Sequence, residues 1–490
     1  MSYISRREAI NHSALLAAAA AAASPGYGHD DEAKAIAKKG SVNDRLRVAV
    51  VGVNGRGMSH VGGFAGKNNC EVTTICDADS AVIGRAMKEV TQKQGAEPKF
   101  EQDFRKLLDN KEIDIIAIAT PNHWHATMAV WAMQAGKDVY CEKPATHNVR
   151  EGRLMVEAAR KNNRICQVGT QSRSTAGMRQ SIQYIHDGKI GKVDLAYATC
   201  YKSRRSIGKV AKATEPPKSI DYNLWCGPAA MQPVMRAKLH YDWHWVYEYG
   251  NGDLGNQGVH EMDKARWGLK KATMPISVVS VGGRFGYVDD GNTANTQLSL
   301  FDYGDAKLIF EVRGLDTKDY KGAKVGNIWF GTEGYVVCPS YSSGTVFDRD
   351  GKKITEFKGG GDDSHFGNFV KAVRSRKVSD LNCDVEEGHQ SAALCHLANI
   401  SYRLGNPVTI GDNVKSFDGC DAAKEAFARM QSHLTENKVT IAEAKGLAGV
   451  KLTIDAKGET ISDAGGADLA KAKAMLFREY RKGFDIEKSA

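Results

Sequence analysis

The sequence predicts an α/β protein in two parts: a parallel sheet with helices on both faces, then a second part whose strands alternate in polarity. Three observations carry this. Residues 47–61 read RVAVVGVNGRGMSHV, an apolar β-branched run followed by a glycine-rich turn and a helix start. A second strand-like run, Glu71 to Cys76, ends in Asp77. Strand and helix patterns then take turns as far as Lys161, after which period-two strands take over.

Val48, Val50 and Val51 suit a strand buried on both faces. Gly52, Asn54, Gly55, Arg56 and Gly57 follow, and the glycines let the chain turn sharply while leaving room against the backbone. Free N–H groups at the helix start near Met58, with the helix dipole behind them, favour an anion, so the turn reads as a pyrophosphate site. Its spacing is G-x-x-G-x-G rather than G-x-G-x-x-G, and the motif therefore leans on its context. Asp77 lies 25 residues past Gly52. A carboxylate there accepts hydrogen bonds from ribose hydroxyls and repels a 2′-phosphate, which favours NAD over NADP; Arg56 and Arg85 could soften that preference.

The alternation continues with a helix over 80–94, a short strand near Lys99, a helix over 104–108 and a strand over 113–119. At that strand's carboxyl end comes Thr120-Pro121-Asn122-His123-Trp124-His125, where ligands of such sheets bind. His123 and His125 are spaced like a metal pair, but no third ligand lies nearby and no metal is expected. The strand 138–141 runs directly into Glu142-Lys143-Pro144, then a helix over 150–161. Pinned between a strand end and a proline, Lys143 has a constrained backbone; in a desolvated cleft it could steady a developing alkoxide, whereas on composition alone it reads as a surface lysine.

Composition narrows the function class. At 42% hydrophobic and 26% charged, with net charge +9 over 490 residues and no basic run interleaved with aromatics, the chain gives no support to a nucleic-acid role. Residues 1–23 carry Arg6-Arg7 ahead of an alanine-rich run, which reads as a twin-arginine signal peptide, and 24–44 as a linker. Export to the periplasm is the expectation, a cytoplasmic location the alternative. No membrane span is expected in the mature chain. Ten cysteines without a pairing pattern or CxxC motif read as buried thiols rather than disulfides or zinc ligands.

Together the turn at 52–57, Asp77, the TPNHWH loop, Glu142-Lys143-Pro144 and the stretch from Gly252 to Asp263, GDLGNQGVHEMD, resemble the Gfo/Idh/MocA family of nicotinamide-dependent oxidoreductases, over about Leu46 to beyond Pro407. The resemblance implies a Rossmann domain followed by an α/β domain with an open, mostly antiparallel sheet that commonly serves in oligomerisation. It also implies a lysine, here Lys143, by the reacting carbon, and a base at His260. The family's usual Asp-x-x-x-His motif has Asn256 in place of the aspartate, and an amide cannot take a proton as a carboxylate does. Asp263, one helical turn beyond His260, is the substitute partner expected for it.

In the second part, strands are expected over 195–201, 276–282, 295–301, 307–312, 328–330 and 334–338, with one sheet face buried and the other over a ligand or partner. The aromatic stretch His240 to Tyr249 suits sugar rings, so Trp243, His244 and Trp245 are expected in the substrate cleft with Tyr201, Asn256 and His260; Arg204 and Arg205 could line it as well. Trp225 and Trp267 are assigned to packing. Segments 364–376 and 388–404 read as amphipathic helices, with His389 and His396 structural. Domain limits are set at 45–165, 166–440 and an extension at 441–490. The extension shows a hairpin over 450–461 and helical spacing from Leu469 to Tyr480, and could wrap a neighbouring subunit.

The expected function is hydride transfer between a sugar or cyclitol hydroxyl and a tightly held NAD, in a homo-oligomer, dimer or tetramer. The alternative is the NAD-dependent glycosidase chemistry of glycoside hydrolase family 109, by transient oxidation and elimination. A non-catalytic sugar sensor is disfavoured by the presence of both Lys143 and His260.

Overall fold

The computed structural model describes residues 44–412 and 414–487. The twin-arginine segment 1–23 and nearly all of the linker 24–44 lie outside the described residues.

The first sheet is formed by β1 (Leu46–Val51), β2 (Cys70–Cys76), β3 (Lys99–Glu101), β4 (Ile115–Ile118), β5 (Asp138–Cys141) and β6 (Cys166–Val168), in the order β3-β2-β1-β4-β5-β6 and parallel throughout. Its strands are connected by α1 (Gly57–Phe64), α2 (Gly84–Gln94), α3 (Arg105–Leu108), α4 (Asn122–Gln134) and α5 (Val149–Lys161). Residues 48–51 and 115–118 are fully enclosed, as strands covered by helices on both faces must be. Asn148 and Glu151 close a capping box at the start of α5. The order reverses between β1 and β4, so both strands' carboxyl ends open into one crevice.

The second sheet starts after α6 (Ala176–His186) with β7 (Val193–Tyr201); after the short α7 (Tyr222–Cys226), β8 (Ser277–Gly283), β9 (Thr296–Asp302), β10 (Lys307–Arg313), β11 (Val325–Gly331), β12 (Gly334–Cys338), β13 (Ser343–Asp348) and β14 (Lys353–Lys358) complete most of it. Its order is β14-β13-β12-β11-β7-β10-β9-β8-β16-β15, with β15 (Asn406–Thr409) and β16 (Lys445–Ala448) at one edge. Within this sheet only β7 and β10 pair in parallel among the described strands, so the sheet is mostly antiparallel as expected. The alternating polarity does not leave one face open. α6, α8 (Val259–Gly268) and α10 (Val385–Arg403) pack one side, and α11 (Asp421–Glu436) packs Phe427, Met430 and Leu434 on the other. β9 (Thr296–Asp302) is consequently buried on both faces.

Three segments depart from the linear reading. Helix α10 is not amphipathic: fifteen of its nineteen residues are buried, because it runs between the two sheets. Helix α9 (Asp362–Ser375) returns to the first sheet and sets Phe366 and Phe369 against Phe64 and Tyr140. The extension packs on its own chain. Strands β17 (Leu452–Asp455) and β18 (Thr460–Asp463) form the expected hairpin and β17 pairs with β8, after which α12 (Leu469–Ala474) leads to Phe484 and Ile486, both buried beside α4. Phe484 lies edge-on to Trp124 at 5.5 Å and stacks on Trp131 at 6.1 Å.

All ten cysteines are buried free thiols. Among the described residues, no helix is long and apolar enough to cross a membrane.

Candidate active site

The β1–α1 turn is built by close approach. Gly52 has φ +83°, and a Cβ there would lie 2.8 Å from the Ala119 carbonyl and the Thr120 nitrogen. A Cβ on Gly57 would lie 1.9 Å from the Gly52 oxygen, so Gly57 lets α1 start against the turn rather than touching a ligand. Beside them Gly55 faces open space, with nothing within 4 Å of where its Cβ would be. Asp77, at the end of β2, accepts the Val53 N–H at 2.8 Å and the Asp79 N–H at 3.0 Å; burial pushes its carboxyl up, against those two hydrogen bonds.

A cavity of about 430 Å³ starts at Asp77 and passes Gly52, Asn54, Gly55 and Thr120-Pro121-Asn122 to Glu142, Lys143 and Asn256. Its roof is the 202–250 segment of the second part, which contributes Leu224, Trp225, His240, Tyr241, Trp243 and His244. That roof is fastened to the tip of β2: His240 Nε2 lies 2.8 Å from Asp79 Oδ2, Ser80 N–H donates to Ser219 O at 3.0 Å, and Asp221 N–H to Ala78 O at 3.0 Å. Open space at Gly55, backbone N–H groups at the start of α1 and a carboxylate at the end of β2 fit a nicotinamide dinucleotide laid along this cavity.

At the far end charge is concentrated and buried. Glu142 Oε1 receives Arg56 Nε at 2.8 Å, Gln171 Nε2 at 3.2 Å and contacts His60 Nε2 at 3.2 Å. Burial alone would raise its pKa, yet Arg56 and then His60 hold it well below the usual carboxylate range. Arg56 also reaches Asp362 Oδ2 at 2.7 Å, so its guanidinium is paired rather than free to soften the cofactor preference. Lys143 Nζ donates to the Asn256 carbonyl at 2.6 Å, and burial lowers its ammonium pKa against the pull of Glu142. Such a lysine combines a desolvated charge with a fixed position.

Several expected site residues stand elsewhere. His125 touches the cavity, but Nδ1 lies 2.6 Å from Pro144 O and Nε2 2.8 Å from Thr120 O, so the ring ties two loops together. Tyr201 is withdrawn: its hydroxyl donates to Glu311 at 2.8 Å beneath Arg313, because the strand register turns it into the sheet's interior. Trp245 is buried behind the roof, with Arg204 5.5 Å over its ring. His260 is 4% exposed and outside the cavity wall; its Nδ1 has no hydrogen-bond partner, its ring lies 4.6 Å from Tyr341, and burial followed by the charge of Lys143 keeps it neutral. Asp263 does not orient it, being taken by Arg173 at 2.8–3.0 Å and by Ser391. Trp225, assigned to packing, both packs on Tyr249 and lines the cavity.

Sequence alone gave no role to His240, which fastens the roof, or to Asp253. Asp253 is buried, pairs with Arg204 at 2.6 and 2.9 Å, and accepts Asn256 Nδ2 at 3.3 Å. A carboxylate thus does reach the Asn256 side chain, from three residues earlier on the π-helical turn Leu254–Gly258 and its flank. The aspartate-free motif concealed it.

Comparison with known proteins agrees with this layout. Residues 46–170 match the oxidoreductase family's NAD-binding Rossmann fold, and residues 188–434 match its C-terminal alpha/beta domain. Among curated proteins, Glycosyl hydrolase family 109 protein 1 of Shewanella sp. (strain ANA-3) is 35% identical over 125 residues, and the alpha-N-acetylgalactosaminidase of Shewanella oneidensis 34% over 125. Each match spans 25% of this chain and 27% of the relative. Among solved structures, the WlbA dehydrogenase from Bordetella pertussis in complex with NADH and UDP-GlcNAcA superposes with TM-score 0.53 at 19% identity, covering 72% of this chain and 96% of that one. Levoglucosan dehydrogenase in complex with NADH and levoglucosan gives 0.56 at 19%, with the same coverage. Since the C-terminal match alone takes in half of the residues and the Rossmann match the cofactor turn, the chain belongs to the Gfo/Idh/MocA oxidoreductase family.

Proposed function

We propose that this protein interconverts a sugar or cyclitol hydroxyl and its carbonyl with a tightly held NAD. The observation that carries the reading is one cavity with Asp77 at one end and Lys143, Asn256, Trp243 and His244 at the other. Gly52, Asn54 and Gly55 would cradle the pyrophosphate, Asp77 the adenosine ribose, and Thr120, Pro121, Asn122 and Glu142 the nicotinamide half. A bound nicotinamide would supply hydride chemistry. Lys143 Nζ holds the reacting oxygen, Trp243 stacks on the apolar face of the ring, and a neutral histidine takes the hydroxyl proton, a role for which the family resemblance alone points to His260. The relatives' names support a carbohydrate substrate, being those of sugar dehydrogenases and a glycosidase.

Tight holding is supported by the roof at 202–250, whose fastening to β2 closes the cavity over Asp77. A twin-arginine leader would carry such a folded, loaded protein to the periplasm; a cytoplasmic enzyme is the alternative. Assembly as a homodimer or homotetramer completes the proposal. Asn256, together with the family 109 matches, favours the glycosidase as the second reading.

The test is to purify the protein without added cofactor, denature it and identify any released dinucleotide by mass spectrometry, then to assay levoglucosan and 4-nitrophenyl α-N-acetylgalactosaminide. Stoichiometric NAD or NADH with turnover of either compound is expected. Protein that neither carries nor binds a dinucleotide would end the reading. The cofactor preference has its own check: Asp77→Asn keeps an acceptor for Val53 N–H but loses the charge, and the ratio of NADP to NAD dissociation constants should fall about tenfold or more. An unchanged ratio would remove Asp77 from the ribose site.

A further inference from the structure

The roof holds one imidazole in an unusual way. Residues 242–245 form a short 3-10 turn, entered through Tyr241 at φ +67°, a left-handed conformation that a tyrosine adopts only when its surroundings impose it. The constraint is visible. The Tyr241 hydroxyl accepts from Arg204 Nη1 at 3.1 Å, and Arg204 is clamped in turn by buried Asp253. From the other side Gly250 packs so closely that a Cβ there would come within 2.8 Å of His244 Cα and the Trp243 carbonyl. Asn292 fixes the turn's exit, its N–H donating to Trp245 O at 2.9 Å and its Oδ1 accepting Tyr247 N–H at 2.7 Å.

What this arrangement delivers is the Tyr241 carbonyl, aimed at His244. It accepts the His244 backbone N–H at 3.2 Å and makes a short contact with Nδ1 of the same ring. A carbonyl can only accept, so Nδ1 carries the hydrogen and Nε2 is left as a lone-pair acceptor. The ring is flattened on Trp243, centroids 3.6 Å apart at 20°, and both residues line the cavity at its Lys143 end. His260, by contrast, takes no part in the cavity wall.

Resting on the sugar oxidoreductase reading, we propose that His244 is a catalytic residue of this site, and that Nε2 of His244, rather than His260, takes the O–H proton of the sugar hydroxyl being oxidised. Atoms and electrons balance: the O–H bond breaks as the N–H bond forms, a C=O double bond replaces the carbinol, and the electron pair of the cleaved C–H bond leaves with its hydrogen to the two-electron nicotinamide acceptor. Lys143 steadies the oxygen while it loses its proton. Burial of His244, with Lys143 nearby, pushes its imidazole down to about 3, so the basic form is the one present at neutral pH. Reversal of the same transfer makes His244 the donor in carbonyl reduction.

Two experiments decide it. In protein labelled with 15N-histidine and without added ligand, His244, assigned by its loss in His244→Gln, is expected as the neutral Nδ1–H tautomer from pH 6.5 to 8. The commoner Nε2–H form overturns the proposal whatever the substrate proves to be. On whichever of levoglucosan or 4-nitrophenyl α-N-acetylgalactosaminide the unaltered enzyme turns over, His244→Gln, which keeps a donor for Tyr241 but no basic nitrogen, should lose at least about 100-fold in kcat. KM and dinucleotide content should stay within threefold, and added imidazole should restore part of the activity of His244→Ala. Turnover of His244→Gln within threefold of the unaltered enzyme, with His260→Gln inactive, assigns the proton to His260 and sinks the inference. Failure of both sugars with dinucleotide present counts against the substrate class and leaves the tautomer to decide for His244.

Discussion

Replacing Lys143 with methionine is expected to lower kcat by about 10²–10³-fold, the cost of removing one preorganised donor from a developing oxyanion. The volume is kept, so packing changes little. What goes is a charge held in a desolvated position with one hydrogen bond, to the Asn256 carbonyl, to pin it. Dinucleotide content should not change, because the contacts proposed at Asp77 and at the Gly52–Gly55 turn do not involve the Lys143 side chain, which bonds to the Asn256 carbonyl. Steady-state turnover alongside mass-spectrometric quantification of released dinucleotide separates the two effects. A methionine variant as active as the unaltered enzyme would exclude Lys143 from the chemistry, whereas simultaneous loss of cofactor would make it a binding residue.

The second large effect concerns acid. Burial, the first cause in each case, pushes the imidazoles of His123 and His396 down to about 3 and those of His365 and His433 to about 4. All four are at most 2% exposed. In the unfolded chain they titrate near 6.5, so between there and their folded values the unfolded state binds more protons and stability falls as pH falls. From pH 7 to pH 5 each costs about 2 kcal/mol, together about 8 kcal/mol, comparable with the whole stability of a typical domain. Carboxylates with depressed folded values, Glu142 and Glu459, the latter at about 2, act in the same direction once the pH drops below their unfolded values near 4.5. Asp77, Glu151 and Glu261, raised by burial, act in the opposite direction. The expected result is cooperative unfolding by about pH 5. Urea midpoints followed by circular dichroism at pH 7, 6 and 5 should decline steeply; equal midpoints at pH 7 and 5 would mean that the buried imidazoles charge without unfolding.

The residues visible from the sequence were those whose role is local. Gly52, Asp77, the TPNHWH loop and Glu142-Lys143-Pro144 each sit at the carboxyl end of a parallel strand, and a strand end followed by glycine, acid or proline is a pattern within a few positions. Partnerships across the chain left no such mark. His240 meets Asp79 across 161 positions, and nothing in the run from Lys202 to Gly250 announces a roof. Helix spacing placed Asp263 one turn from His260, but Arg173, 90 residues earlier, claims both oxygens. Composition drew attention to the aromatic stretch, part of which lines the cavity, and could not divide it: Trp243 and Trp245 differ only in where a one-turn 3-10 helix points them. The second sheet's period-two strands were legible, while nothing local in Asp421–Glu436 shows that this helix covers the sheet's other face.

The path of the extension bears on how the protein comes into being. Trp124 lines the cavity on one side and, on the other, meets Phe484, synthesised 360 residues later. A nascent chain on the ribosome can therefore pair its six parallel strands early, yet it must wait until Phe484 has been made before that tryptophan is backed. Contacts so distant along the chain are slow to form. The wall of the cavity is thereby coupled to synthesis of the segment that carries Phe484, and a translation product that stops short of it would lack the backing of that wall.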